Sequence, residues 1–230
     1  MKLKTGFKFL KRIWSGNCSK REYLIYLSIL LLIYLIGIII SALKFPGGFS
    51  MTRVYISYLG GSDINPDGYI YYCIANFIVG FALIPHFIFL YKRLVPAMEF
   101  LSTFSCIWGV EGCIGFGLIG IFHQGILPKM HQITTYMAFG GFGICAFFCL
   151  FILIRKIILK HNWPSIKKFI LLYGSMLSIL IIALLFDSYE EFFVNIGVNP
   201  IYLNDKFLEW LYFFATLDWL IMIILIIPMI

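Results

Sequence analysis

The chain has 230 residues, of which 61% are hydrophobic and 13% charged, with a formal net charge of +7. Soluble domains run about 45–50% apolar and about 25% charged, and a soluble protein of this size leaves too much of its chain facing water to hide so much apolar surface. The composition excludes a soluble enzyme, a disordered tail and a disulfide scaffold, and leaves a multi-spanning membrane protein.

The first segment, residues 1–22, is basic. Leu3, Phe7, Leu10 and Trp14 share one helical stripe, with Lys4, Lys8, Lys11 and Arg12 mostly away from it. That is the pattern of an interfacial amphipathic helix, although a disordered basic tail fits the same residues. Ser19-Lys20-Arg21-Glu22 then forms a capping box before an apolar run, so the first membrane helix is expected to start there. That run is longer than the roughly 7–15 residues of a signal peptide and lacks an A-x-A site, so it reads as a retained anchor.

Six apolar runs follow, at 23–43, 69–91, 96–122, 132–154, 166–186 and 207–229, each near the about 20 residues a bilayer requires. They are continuous, without the alternation of a membrane barrel. The expectation is one all-α membrane domain over 23–229, a six-helix bundle. Between the first two runs lies the longest loop, about 44–68, where Pro46-Gly47-Gly48 and Asn65-Pro66-Asp67-Gly68 bracket a short apolar segment. Its length marks it as a functional candidate, or as a folded cap over the bundle. In span two, Pro85 removes a backbone donor and predicts a kink. Span three carries Ser105, Gly109, Cys113 and Gly117 at four-residue spacing, and span four carries Gly141, Cys145 and Cys149 the same way. Small stripes of this kind let membrane helices approach closely, so these two spans are predicted to pack together.

Of the Lys and Arg residues, fourteen fall in the N-terminal tail, the second loop and the fourth loop; the other four, Lys44, Arg53, Lys129 and Lys206, fall on the opposite side. The positive-inside rule then puts both termini in the cytoplasm and the long loop outside. The basic excess reads as a topology signal and an attraction to anionic membrane lipid, not as a nucleic-acid footprint. The cysteines form no C-x-x-C pair or zinc spacing, so they are read as packing residues. No metal and no cofactor are expected.

Ionisable residues at membrane depth are costly and are functional candidates by default. Glu111 in span three and Asp218 in span six lie near the midplane with no Lys or Arg at their depth, and His86 lies inside span two. Glu111 sits about 200° around the helix from the small-residue stripe; with that stripe against span four, Glu111 is expected to face the bundle centre. A path Asp218–Glu111–His86 would suit a proton relay, and neutral acids hydrogen-bonded across helices fit equally. At the opposite rim, His123, His131, Asp187, Glu190, Glu191, Asp205 and Glu209 could bind a metal or a polar head group, or be solvated loop ends. Tyr189-Glu190-Glu191 is similar to the paired glutamates of intramembrane prenyl-protein proteases, but Asn195 stands where those carry arginine. G-x-S-x-G, H-E-x-x-H and P-loop motifs are absent.

Ile56-Ser57-Tyr58-Leu59-Gly60, then Asn65-Pro66, then a span with Asn76 and Gly80, resemble the first external loop and second helix of a six-span superfamily. That superfamily comprises the damage-regulated autophagy modulators, the FGF-receptor-activating and Sfk-type proteins and their prokaryotic relatives. Gly117-Leu118-Ile119-Gly120-Ile121-Phe122 and His131 resemble its third helix ending and the histidine opening its fourth, although His123 stands where the family often has proline. The resemblance implies a role in membrane trafficking or lipid biology without defined catalysis. It marks Ser57, Gly60, Asn76 and His131. The expected function is thus binding or organising lipid, a membrane-protein partner or a second copy, through the external cap and bundle interior. The alternatives are a proton-coupled transporter using Glu111 and Asp218, and a lipid-modifying enzyme using His131 with external carboxylates.

Overall fold

The computed structural model describes residues 2–160, 167, 169–171, 173–174 and 205–226, with the side chains of 2–7, 156–160 and 205 outside that description. The described residues are helical, without strands: α1 Lys2–Trp14, α2 Lys20–Leu43, a 3-10 helix Ile56–Gly60, α3 Tyr69–Ala82, α4 Ile84–Leu94, α5 Glu99–Ile119, α6 Pro128–Lys160 and α7 Asp205–Ile226. Among the described residues, counting α3 and α4 as one passage, five helical segments are long and apolar enough to cross a membrane. This is the make-up of a multi-pass membrane protein. The run at 166–186 lies almost wholly outside the described residues.

The tail is a helix, but its stripe is used differently from the sequence expectation. Leu10 and Trp14 are each 47% exposed, whereas Ile13 is fully buried and Phe9 packs partly against the core. The bundle takes the Phe9–Ile13 edge, which leaves Leu10 and Trp14 outward as an apolar strip beside the basic face. The helix stops at Gly16, whose φ of 65° suits glycine. Gly16 N–H donates to Ile13 O and Asn17 N–H to Arg12 O, both at 2.9 Å, the two bonds of a Schellman ending.

At Ser19 the capping box forms as the sequence predicts. Glu22 N–H donates to Ser19 Oγ at 3.3 Å, and Ser19 N–H donates to Glu22 Oε2 at 2.9 Å. Arg12 pairs with the same Glu22, which ties α1 to the start of α2. Lys92 reaches Asn17 Oδ1 at 2.8 Å, Arg93 reaches the Cys18 carbonyl at 3.0 Å, and Lys20 reaches Leu225 O at 3.2 Å. The basic residues thus gather α1, α4 and the end of α7 at one pole, the tail pole.

Span two breaks into α3 and α4 at Leu83. Pro85 has no N–H to give to the preceding turn, and its ring crowds that carbonyl. The chain restarts with His86 N–H on Leu83 O at 2.9 Å.

α5 is the hub. Ser105 Oγ lies 3.1 Å from both Cys145 Sγ and Cys149 Sγ of α6, and Gly141 abuts the α5 backbone at Trp108 and Gly112. The α5–α6 pair is the most extensive in the bundle. Two other members of the stripe meet different helices. Gly109 accommodates Phe87 of α4, and Gly117 accommodates Phe81 of α3. A Cβ on Gly80 would overlap the backbone of Gly117, so α3 and α5 cross with almost no side chain between them. Small residues let backbones approach, and in a bilayer that close packing drives association.

α7 is held differently. Its contacts with the other described helices run through large buried side chains, Trp210, Phe213 and Trp219. Trp210 Nε1 donates to Val54 O at 2.9 Å, and Trp219 Nε1 to the Tyr173 hydroxyl at 3.4 Å. Big aromatics hold the α7 backbone away from α2 and α6, and narrow spaces remain between them.

Candidate functional site

The pole opposite the tail is closed by the long loop. Its anchor is Asn65, fully buried, whose Nδ2 points at Ser41 O (3.1 Å), Ser41 Oγ (2.9 Å) and Leu59 O (3.1 Å). Ser41 Oγ also donates to Leu59 O at 2.9 Å. These bonds staple the 3-10 helix to the end of α2. The Gly60 face lies on the Tyr72 ring, where a Cβ would be 2.7 Å from Cδ1. Glu209 of α7 accepts from Ile56 N–H at 3.1 Å. The loop is therefore a folded cap, joined to α2, α3 and α7.

Between the cap and the first turns of α6 and α7 lies an open cleft of about 710 Å³. The cap contributes Tyr55, Ser57 and Tyr58; the α5–α6 loop and α6 contribute Gln124, His131, Gln132, Thr135 and Tyr136; α7 contributes Glu209. His131 Nδ1 lies 3.0 Å from Phe122 O. A carbonyl only accepts, so Nδ1 carries a proton and donates it to Phe122 O. Thr135 Oγ1 and Gln124 Oε1 are buried with no partner. Unsatisfied polar atoms are rare in a packed protein, and two of them border one cleft here.

Under the cleft a second space of about 10 Å³, near the minimum for one water, is lined by Ser57, His131, Thr135 and Glu209 above and by Tyr34, Phe116, Phe139 and Phe213 below. Those last four residues also line a third space of about 40 Å³, walled by Leu27, Leu30, Leu83, Phe142 and Leu217. Its wall is almost wholly apolar, and apolar cavities of this kind stay dry. Shared side chains thus join a polar cleft at the cap to an apolar slit running inward between α2, α6 and α7.

Ser57, His131 and Glu209, three of the residues singled out by sequence, meet in this cleft. Gly60 supports it from behind. Asn76 is fully buried one layer deeper, with Nδ2 donating to Tyr72 O at 2.8 Å and Oδ1 3.5 Å from the Tyr34 hydroxyl. His123 does not line the cleft. It is buried against Tyr69, ring centroids 5.2 Å apart, and burial pushes its pKa below the ordinary histidine value while nearby Asp63 opposes the shift. No three His, Cys, Asp or Glu side chains among the described residues cluster as a metal site would require. Asp187, Glu190 and Glu191 lie outside the described residues, and Asp205 opens α7. The sequence reading missed Thr135, Tyr136, Gln132 and Gln124. The signal was there: Thr135 and Tyr136 follow His131 and Gln132 at four-residue spacing, a polar face on the first turns of an apolar helix.

The midplane acids are placed otherwise than expected. Glu111 is half-buried on the outer face of α5, in line with the exposed Phe104 and Ile107. The small stripe turned out to face α3, α4 and α6 together, so it marks the bundle interior, and a residue about 200° from it points outward. Asp218 is exposed on α7 beside Phe214. Neither acid lines any of the three spaces. His86 is sealed in, sharing a hydrogen bond with Tyr23 at 3.1 Å through Nδ1, and its buried Nε2 has no partner. None of the three spaces joins Asp218, Glu111 and His86.

No family model matches this chain, and neither a curated protein nor a solved structure matches it significantly.

Proposed function

We propose that this multi-pass membrane protein binds a membrane lipid, with the polar group in the cap cleft and an acyl chain along the apolar slit. The observation that carries the reading is the unbroken sharing of lining residues: Ser57, His131 and Glu209 join the cleft to the small chamber, and Tyr34, Phe116 and Phe213 join the chamber to the slit. Ligand sites are mostly apolar with a few placed polar groups, and a lipid presents that division along its length. The slit is narrow at about 40 Å³, so a chain enters by parting α7 from α2, two helices that share little backbone contact.

In this reading the bundle has six spans with both termini cytoplasmic and the cap outside. The basic residues gathered at the tail pole support that orientation through the positive-inside rule. The resemblance to the autophagy-modulator and FGF-receptor-activating superfamily points the same way, since Ser57, Gly60, Asn76 and His131 all border or support the cleft. Transport by Glu111 and Asp218 would need both acids on one polar passage, and neither acid lines the cleft, the chamber or the slit. Catalysis through His131 would draw on Glu209, which lines the same cleft, and the continuity of that cleft with an apolar slit favours lipid binding.

Native mass spectrometry of the purified full chain tests the proposal. The wild type should carry a lipid-mass adduct, and Leu217→Trp, which blocks the slit, should release it. A folded wild type with a lipid-free spectrum overturns the reading.

A further inference from the structure

At the tail pole, the outward side of α2 carries an open groove of about 620 Å³. Its described lining divides by depth. Lys20 and Arg21 stand at the mouth, and Leu24, Ile25, Ile29 and Leu32 form the wall below, with Ser28 among them. Ile25 and Ile29 are each 49% exposed and Leu32 is 58% exposed, so the groove stays open along its length. From Arg21 to Leu32 a helix advances about 16 Å, and one leaflet of the bilayer core is about 15 Å thick. The groove thus spans one leaflet, with its charges at the level of that leaflet's head groups.

Those charges are of one sign. The described lining holds two cations and no carboxylate. Arg21 is exposed and has no hydrogen-bond or ion-pair partner among the described residues. The Lys20 ammonium uses one N–H on Leu225 O at 3.2 Å, and an ammonium has three. Glu22, the carboxylate next along the chain, is already engaged by Arg12 and by Ser19 N–H at 2.9 Å. Lys8 and Lys11, exposed on α1, add positive potential at the same pole, and such clusters attract anionic lipid. The guanidinium fork of an arginine matches a phosphate. A zwitterionic lipid would offer the same phosphate but would bring its own ammonium into that potential.

We propose that this groove holds one phospholipid of net negative head-group charge, its phosphate against Arg21 and Lys20 and an acyl chain along the wall from Leu24 to Leu32. The groove shares no residue with the cap cleft, the chamber or the slit, so this site stands apart from the lipid reading of the cleft.

The test is native mass spectrometry of the full chain in detergent with equimolar dioleoyl phosphatidylglycerol and dioleoyl phosphatidylcholine. The wild type should retain one phosphatidylglycerol in preference to phosphatidylcholine by about tenfold or more, the effect of two basic residues on one added negative charge. Arg21→Gln, a change at an exposed position, should cut that preference about fivefold, the share of one basic residue. Lys129→Gln removes the same charge from an exposed position at the opposite pole and should leave the preference unchanged. Leu217→Trp, which blocks the slit, should leave it unchanged as well. Equal retention of the two lipids by the folded wild type, or an undiminished preference in Arg21→Gln, would overturn the proposal. So would a loss in Lys129→Gln as large as that in Arg21→Gln, because positive charge anywhere would then suffice. Loss of the phosphatidylglycerol in Leu217→Trp would put that lipid in the slit and overturn the groove site. Retention of phosphatidylglycerol that depends on Arg21, with a lipid spectrum that Leu217→Trp does not alter, sustains the groove site and overturns the cleft reading.

Discussion

Asn65 is the residue on which the cap depends, and replacing it by alanine should detach the cap without unfolding the bundle. Its backbone bonds survive the change: Asn65 N–H still donates to Gly61 O, and Asn65 O still accepts from Tyr69 N–H. The side-chain bonds do not. Ser41 O, near the end of α2, loses the amide at 3.1 Å, and a buried carbonyl left without a donor costs about 1–3 kcal/mol. Leu59 O loses its amide but keeps Ser41 Oγ at 2.9 Å, so its share is one ordinary hydrogen bond, about 1 kcal/mol. The sum is about 2–4 kcal/mol, concentrated at the cap. Asn65→Asp should be at least as damaging although its shape is unchanged, because a carboxylate would replace the donor and face two carbonyls. Trp210 reports the event, since its indole N–H is bonded to Val54 O of the cap. Thermal unfolding followed by tryptophan fluorescence should show an early cap transition in both variants. Amide exchange should accelerate over 54–61 while α5 and α6 stay protected. An Asp variant as stable as the wild type, or exchange at 54–61 that does not change, would refute the donor argument.

Gly80→Val should prevent the α3–α5 crossing, because its Cβ overlaps the Gly117 backbone, which cannot move aside; the measurement is loss of monodisperse protein after detergent extraction. Glu111→Leu should raise the thermal midpoint, since the change removes a carboxyl from the outer face of a membrane helix, where a charged side chain costs about 2.5–3.5 kcal/mol. A lower midpoint would mean that Glu111 has a partner on that face. His123 has a folded pKa below its ordinary value of 6.5 because of burial. Its stabilising contribution is therefore complete above about pH 6.5 and is lost as pH falls through the lowered folded value. Amide exchange at 120–127 should be faster at pH 5 than at pH 8 after correction for the intrinsic rate, and His123→Gln should abolish the difference.

Much of the site could be read from residue order alone, and the unread part has a single cause. Ser57, His131 and Glu209 were visible as polar residues at the ends of apolar runs, where the chain leaves the membrane and a polar group can be kept. That they meet was not visible, because they are separated by more than seventy residues at each step and only the cap brings the 3-10 helix down onto α6 and α7. Thr135 and Tyr136 were passed over because a hydroxyl within an apolar helix ordinarily bonds its own backbone. Glu111 was placed inward by assuming that the small stripe served one neighbour. Three helices share that stripe, and the direction of every other side chain on α5 follows from that.

The sequence by itself determined the class of the protein, the break at Pro85, the capping box at Ser19 and the pairing of α5 with α6. Each of these depends on contacts within one segment or on composition, which a linear chain carries openly. The tertiary structure decided which face of each helix is inside, that the long loop is a cap stapled through Asn65, and that a polar cleft opens onto an apolar slit. A helix whose faces are all apolar has no periodic signal to show which one meets its neighbours. In lipid that choice falls to close packing, glycine against glycine at α3–α5 and tryptophan holding α7 apart, and packing exists only once the helices are assembled.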